Sequence, residues 1–298
     1  MNAPIDIIVP WVNPDDLNWR HDFFNHFPEG KKCDAQIGRF RDCNTLKYSL
    51  RSIDQNCEWC EHVFLILASP SQIPDWLNTK SPKLKIVYHK DYIPSEFLPT
   101  FNSDVIEMFY PLIDELSENF ILINDDMFFS SKVSSEFFFR DNKPVCLPKK
   151  KTIGSGLNVE MFIKNLRNNL NVETSLFNFD NVNYTYWGEH LPLPYNKTFQ
   201  LFVLSKIKDE IYKRCGAFRS DSDINHFLYY DMMCKTKNCI FDSKARGGFY
   251  FFNKRLKSIN FNQPMLCINE SGQIDQCDIN RLSGLLERRF SRKSSFEN

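Results

Sequence analysis

Residues 119–130, NFILINDDMFFS, constrain the fold most. A short apolar run, Phe120-Ile121-Leu122-Ile123, stops abruptly at Asn124-Asp125-Asp126 and resumes at Met127-Phe128-Phe129. Four apolar residues bounded by polar ones make a buried strand rather than a helix. A strand here delivers two carboxylates at its carboxyl end, the edge where open α/β sheets bind ligands. Adjacent carboxylates repel unless a cation sits between them, and a divalent metal holding a phosphate is one answer. A polar turn between two strands is the other reading of Asp125 and Asp126. Neighbouring residues on a strand point to opposite faces, so both carboxylates serve one ion only if the strand has ended by Asp125.

Further strands are read at residues 5–9, 63–68 and 84–87, each followed by a loop rich in Pro, Ser or Asp. A helix is read at 17–27. Another carries Leu46, Leu50, Ile53 and Cys57 at helical spacing, with Asp42 or Asn44 as its cap. This alternation predicts an α/β fold with a Rossmann-like, mostly parallel sheet flanked by helices. Residues 137–139 and 145–147 read as strands of a smaller edge. The second half reads as more helical: Val159, Phe162, Ile163, Leu166 and Leu170 mark one helix, and Leu204, Ile207, Ile211 and Cys215 a second. Ile279, Leu282, Leu286 and Phe290 mark a last one, which runs into a basic solvated end. Residues 172–188 show no clear periodicity and read as a loop over a site or an acceptor-contact segment. The expectation is one domain, with residues 5–150 as its α/β core, 151–187 as a variable insertion or acceptor segment, and 188–298 as a more helical part.

Composition narrows the function. Thirty-seven basic residues balance 37 acidic ones, so overall charge makes no case for nucleic acid. Ten glycines among 298 residues, with neither a GxGxxG nor a Walker pattern, exclude a Gly-rich phosphate loop, while 28 phenylalanines predict an aromatic core. No apolar run reaches the roughly 20 residues that cross a bilayer. The first residues lack the basic-then-apolar pattern of a signal peptide. A cytoplasmic protein with reduced thiols is therefore expected. Cys57-x-x-Cys60 and Cys234-x4-Cys239 have zinc-like spacing if they meet in space, but both members of the first pair read as core thiols.

Other polar clusters also sit beside loop signals. Trp11 and Asn13, after the first strand, suit a base or ribose, or else a capped loop. Arg39, Arg41, Asp42 and Asn44, with Arg51 two turns along the helix, offer guanidinium clamps for phosphate or surface salt bridges. Asn102 and Ser103 open a helix, whose N-terminus receives anions or sugar hydroxyls. His190 lies in a segment stiffened by Pro192 and Pro194; it reads as an imidazole that takes a proton at neutral pH, or else as a structural histidine. Arg219 and Asp223 precede another helix, and Cys267-Ile268-Asn269-Glu270 is a second apolar run ending in a polar pair.

The order of these pieces is more telling than any one of them. IDIIVPWVNPDD, RFRDCNTLKYSLRSI, LPTFNS, NFILINDDMFF, EHLPLPYNK, FRSDSDINHFLYY and MLCINE follow one another in the chain. Together they resemble the four conserved regions of the Stealth family of sugar-1-phosphate transferases, which includes bacterial capsular phosphotransferases and the catalytic subunit of the lysosomal-enzyme N-acetylglucosamine-1-phosphotransferase. Two positions depart from that pattern: Asn13 stands where the family often has aspartate, and Glu270 where it often has a second aspartate. The resemblance implies transfer of a hexose-1-phosphate from a UDP-sugar to a hydroxyl of a polysaccharide or lipid-linked glycan, with release of UMP. It implies Mg²⁺ or Mn²⁺ on Asp125, Asp126 and Glu270, phosphate contact by Arg219 and Arg41, and His190 as base, with Asp223 orienting. With no signal segment read at the start, work at the inner face of a bacterial plasma membrane is expected, and the basic end of the last helix reads as a solvated tail or as a contact with that anionic surface. A metal-dependent glycosyltransferase releasing a nucleoside diphosphate, and a non-catalytic glycan-binding module, are the competing readings.

Overall fold

The computed structural model describes residues 3–27, 40–153, 160–179, 182–244, 247–253, 258–270 and 274–298. In chain order the elements are β1 (Ile5–Pro10), α1 (Leu17–Asn25), α2 (Leu46–Asn56), β2 (Cys60–Leu67), β3 (Leu84–Tyr88), α3 (Ser103–Met108), β4 (Asn119–Leu122), β5 (Met127–Phe129), β6 (Phe139–Arg140), β7 (Lys143–Cys146), β8 (Lys149–Thr152), α4 (Met161–Phe177), β9 (Tyr184–Trp187), β10 (Leu193–Asn196), α5 (Lys197–Arg214), α6 (Phe227–Lys235), β11 (Ile240–Phe241), β12 (Gly247–Phe252), β13 (Met265–Glu270) and α7 (Gln276–Arg289).

The central sheet has the order β10-β4-β1-β2-β3. β4, β1, β2 and β3 are parallel, and β10 returns antiparallel along β4. The chain steps from β1 outward through β2 and β3, then crosses back to lay β4 on the other side of β1. That reversal opens a crevice at the carboxyl ends of β1 and β4, where doubly wound sheets take their ligands. β1 and β4 are apolar runs because both faces are covered; Ile7, Ile8, Phe120 and Ile121 are fully buried.

A three-stranded sheet, β12-β13-β5, abuts this crevice. β5 begins directly after Asp126, and β13 runs antiparallel beside it, pairing Cys267 with Met127. The backbone N–H of Ile268 reaches the carbonyl of Asp126 at 2.9 Å, so the polar end of β13 lies beside the turn at Asp125-Asp126.

Several expected boundaries move, each for a physical reason. α2 starts from Thr45, not from a capping Asp42 or Asn44. Asn44 instead takes the left-handed conformation at φ 58°, while its N–H donates to Asp42. α4 extends through Phe177 into the stretch read as aperiodic, and Asn178 ends it at φ 56°. Its buried face carries Asn165, Asn169 and Glu173, so polar side chains mask the apolar repeat. Glu173 pairs there with Lys235 of α6 at 2.5 Å.

The C-terminal end is anchored by a few side chains, while its basic residues Arg288, Arg289, Arg292 and Lys293 are exposed as expected. Phe290 and Phe296 are buried, and Glu297 meets Arg51 through two hydrogen bonds of 2.8 and 2.9 Å. The two cysteine pairs belong to different apolar clusters and do not meet. Cys234 and Cys239 instead converge with Cys146, their sulfurs within 4.8 Å of one another. Among the described residues no helix is long and apolar enough to cross a membrane.

Candidate active site

The crevice is a cavity of about 470 Å³, within the range of small-molecule sites. Its floor comes from the strand ends: Pro10, Trp11 and Val12 after β1, Ile66 and Ala68 at β2, and Asn124, Asp125 and Asp126 after β4. β4 ends at Leu122, and the N–H of Met127 closes a turn onto the carbonyl of Asn124 at 3.0 Å. The strand has therefore ended by Asp125, which satisfies the condition for both carboxylates to face one site.

Asp125 is held by Thr45, whose hydroxyl donates to Oδ2 at 2.6 Å. Thr45 stands at the helix start without capping it; its hydroxyl is spent on the carboxylate. Burial and the neighbouring Asp126 push the Asp125 carboxyl up to about 7, against the lowering effect of Thr45. Asp126 accepts from Asn269 Nδ2 at 3.0 Å and from Cys267 Sγ at 3.4 Å through Oδ2. Its Oδ1 is buried and has no hydrogen-bond partner among the described residues. A buried, unsatisfied carboxylate oxygen beside a second carboxylate is an unfavourable arrangement for the protein alone. It suits a hard cation, whose ligands are oxygens.

His190 lines the same cavity and comes within 4.8 Å of Asp126 and Cys267. Glu270 also faces it, in an ion pair with Arg41 at 3.1 Å. Cys43 lies 3.6 Å from the same Glu270 oxygen, and burial first, then Glu270, pushes its thiol up to about 12. Arg219 enters from the loop before α6 and donates to Asp104 at 3.3 Å. Burial raises Asp104 to about 6, with Arg219 opposing the rise. At the other end Trp11, Trp19, Phe40 and Phe101 form an aromatic wall, with Trp19 edge-on to both phenylalanines at 5.1 and 5.4 Å. His89 completes it, driven down to about 4 by burial and hence neutral.

Thus Trp11, Arg41, Asp42, Ser103, Asp125, Asp126, His190, Arg219 and Glu270 share one cavity. Five other candidates do not reach it. Asn13 folds back onto Gln72, which accepts its N–H at 2.7 Å. Asn44 serves the turn described above. Arg51 is buried behind α2 against Glu287, Glu297 and the carbonyl of Phe290. Asn102 caps α3 and donates to Asp223 at 2.8 Å. Asp223 is fully buried and accepts from the N–H and hydroxyl of Ser220, which pins the loop carrying Arg219. Arg39 lies outside the described residues. The cavity also holds Thr45, Asp104, Glu107, Asn225 and His226, none of them singled out beforehand. His226 Nδ1 pairs with Glu107.

The family model described as Stealth protein CR2, conserved region 2, matches residues 39–146, which carry Thr45, Asp104 and both aspartates. A capsular polysaccharide phosphotransferase, WcwK, of Streptococcus pneumoniae is 30% identical across 98% of each chain. The chain belongs to the Stealth family. Two further relatives are also named capsular polysaccharide phosphotransferases. They are eps5J of Streptococcus thermophilus, 38% identical over 48% of this chain and 60% of its own length, and cps12A of Actinobacillus pleuropneumoniae, 39% identical over 47% and 38%. This Stealth protein is therefore an enzyme, a sugar-phosphate transferase of capsule synthesis. Its cavity sits where the Rossmann-like sheet reverses.

Proposed function

We propose that this cavity takes a UDP-sugar and passes its hexose-1-phosphate to a glycan hydroxyl. The observation that carries this reading is the meeting of His190 with Asp126, one wall of a cavity that also holds Arg219 and an aromatic end. The aromatic wall of Trp11, Trp19, Phe40 and Phe101 suits the base. Arg219, fixed by Asp104, faces the pyrophosphate, where a guanidinium pairs two oxygens at once. His190 takes the proton of the attacking hydroxyl. The hydroxyl oxygen bonds to the sugar-bearing phosphorus as the bond to the bridging oxygen breaks, so that oxygen leaves on UMP. Asp125 and Asp126, with Glu270, would hold Mg²⁺ or Mn²⁺, and that ion would supply charge neutralisation at the phosphates.

The test is incubation with UDP-N-acetylglucosamine and related donors, a glycan acceptor, and Mg²⁺ or Mn²⁺, reading the nucleotide released. UMP is expected, with Asp126→Asn and His190→Ala each lowering turnover by at least about 100-fold. Release of UDP instead would show glycosyl transfer and sink the proposal.

A further inference from the structure

Three buried thiols meet away from the cavity. Cys234 stands one residue before the end of α6, Cys239 directly precedes β11, and Cys146 ends β7, where β11 pairs alongside it. None of the three lines the active-site cavity. α6 closes on a Schellman turn: the N–H of Asn238 reaches the carbonyl of Met233 at 2.9 Å, and Lys237 takes the left-handed conformation at φ 58°. That reversal turns Cys239 back on Cys234, and their sulfurs lie 3.9 Å apart. The sulfur of Cys146 joins them, all three lying within 4.8 Å of one another.

The surroundings suit a thiolate centre. Hydrogen bonds from Cys146 first, then Cys234, pull the Cys239 thiol well below the ordinary thiol range, against its burial. A buried thiolate calls for a cation. Lys235, its neighbour in sequence on α6, is spent on Glu173 and Asp231 at 2.5 and 2.9 Å. The Tyr230 hydroxyl donates to Cys146. Burial first, then Glu107, Cys146 and Cys234 raise the Tyr195 phenol, so that hydroxyl lies within range of two of the thiols. It is buried and has no hydrogen-bond partner among the described residues.

We propose that Cys146, Cys234 and Cys239 bind one Zn²⁺ ion as three thiolates, with its fourth position open to a water. Zn–S bonds of about 2.3 Å hold two sulfurs of a tetrahedral ion about 3.8 Å apart, close to the separation of Cys234 and Cys239. Sulfur ligands select zinc over the magnesium or manganese of an oxygen site, and a divalent ion leaves less charge buried than a monovalent one. Only thiolates ligate, so binding releases the remaining thiol protons to solvent. The ion is structural. It ties β7 to the end of α6, the helix whose Asp231 holds β9 through Thr185 and the N–H of Tyr186. Nothing in this centre depends on the phosphotransfer chemistry.

Titration of the reduced, metal-free chain with Co²⁺ tests this, because thiolate ligands give cobalt an intense sulfur-to-metal charge-transfer band. A single equivalent of Co²⁺ is expected to produce the band, and a single equivalent of Zn²⁺ to abolish it. Cys234→Ala and Cys239→Ala should each lose the band. Cys267→Ala should keep it, although that sulfur lies near Asp126 and His190 in the cavity. Saturating Zn²⁺ should raise the thermal midpoint by about 5–10 °C in the unaltered chain and in Cys267→Ala, a readout that needs neither of the other variants to fold. A band absent from the unaltered chain, kept by both cysteine variants, or lost only in Cys267→Ala overturns the proposal. So does a thermal midpoint that Zn²⁺ leaves unmoved, or a Cys234–Cys239 disulfide in the isolated protein in place of bound zinc.

Discussion

Asp104 shows how one buried carboxylate positions another group. It is 4% exposed and anchors Arg219, yet burial disfavours its charged form. With its carboxyl raised from 3.8 to about 6 in the folded protein, the folded state holds more protons than the unfolded between those values. Stability from this group therefore falls as pH rises from about 3.8 to 6 and stays lower above it. Asp104→Asn should remove that fall in a thermal-melt pH series, while UMP release drops by up to about 100-fold because Arg219 loses its anchor. Thr45→Val should also slow turnover, and Thr45→Ser should restore it, since only the hydroxyl reaches Asp125. These residues were hard to read in the chain. Thr45 looks like an ordinary helix start, Asp104 like a carboxylate favouring a helix N-terminus, and His226 like a core residue before Phe227 and Leu228. The aspartate pair was legible because an apolar strand stops on it, whereas Asp104 and Glu107 become notable only when their burial is known.

At the scale of elements, α2 is fastened from behind by Arg51. Burial raises the Glu297 carboxyl, but the Arg51 guanidinium and the Ser294 N–H and hydroxyl outweigh it and bring Glu297 to about 2. A carboxyl lowered from 4.5 gives stability that is complete above about pH 4.5 and lost as pH falls through about 2. Glu297→Gln should destabilise the protein by about 3 kcal/mol near neutral pH, because it leaves a buried charge short of a partner. Chemical denaturation of this variant and of Arg51→Met checks it, and a loss under about 0.5 kcal/mol would count the pair as a mere surface bridge. Arg51 read as a phosphate clamp or a salt-bridge partner because it lies along the helix that follows Arg41, but spacing does not say which face of α2 meets the cavity. α4 was legible only over its first turns, because Asn165, Asn169 and Glu173 face inward where an apolar stripe was expected.

Across the whole molecule, the cavity draws on residues from Pro10 to Glu270. The first half supplies β1, β2, β4 and the aspartates. The second half returns β10 along β4 and β13 along β5, and brings His190, Arg219 and Glu270 to them. The parallel sheet was legible, since fully buried strands write themselves as continuous apolar runs. The antiparallel returns were not, because β10 contains a proline and lies in a segment that reads as extended. A fragment of residues 1–150 should therefore fail to release UMP although it holds Asp125 and Asp126, and should unfold with lower cooperativity. Co-expression with residues 151–298 and a turnover assay would check this; activity in the fragment alone would refute it.

The clasp between Arg51 and Glu297 also bears on how the chain is made. α2 leaves the ribosome early, with a guanidinium bound for the interior and its main counter-charge about 250 positions behind it, at a separation of 246 residues. Until Glu287 and Glu297 are in place, burying Arg51 carries an uncompensated charge, which opposes the final seating of α2. Thr45 stands at the head of that helix. A chain cut short before Glu287 is therefore expected to seat α2 poorly, and with it the contact of Thr45 with Asp125.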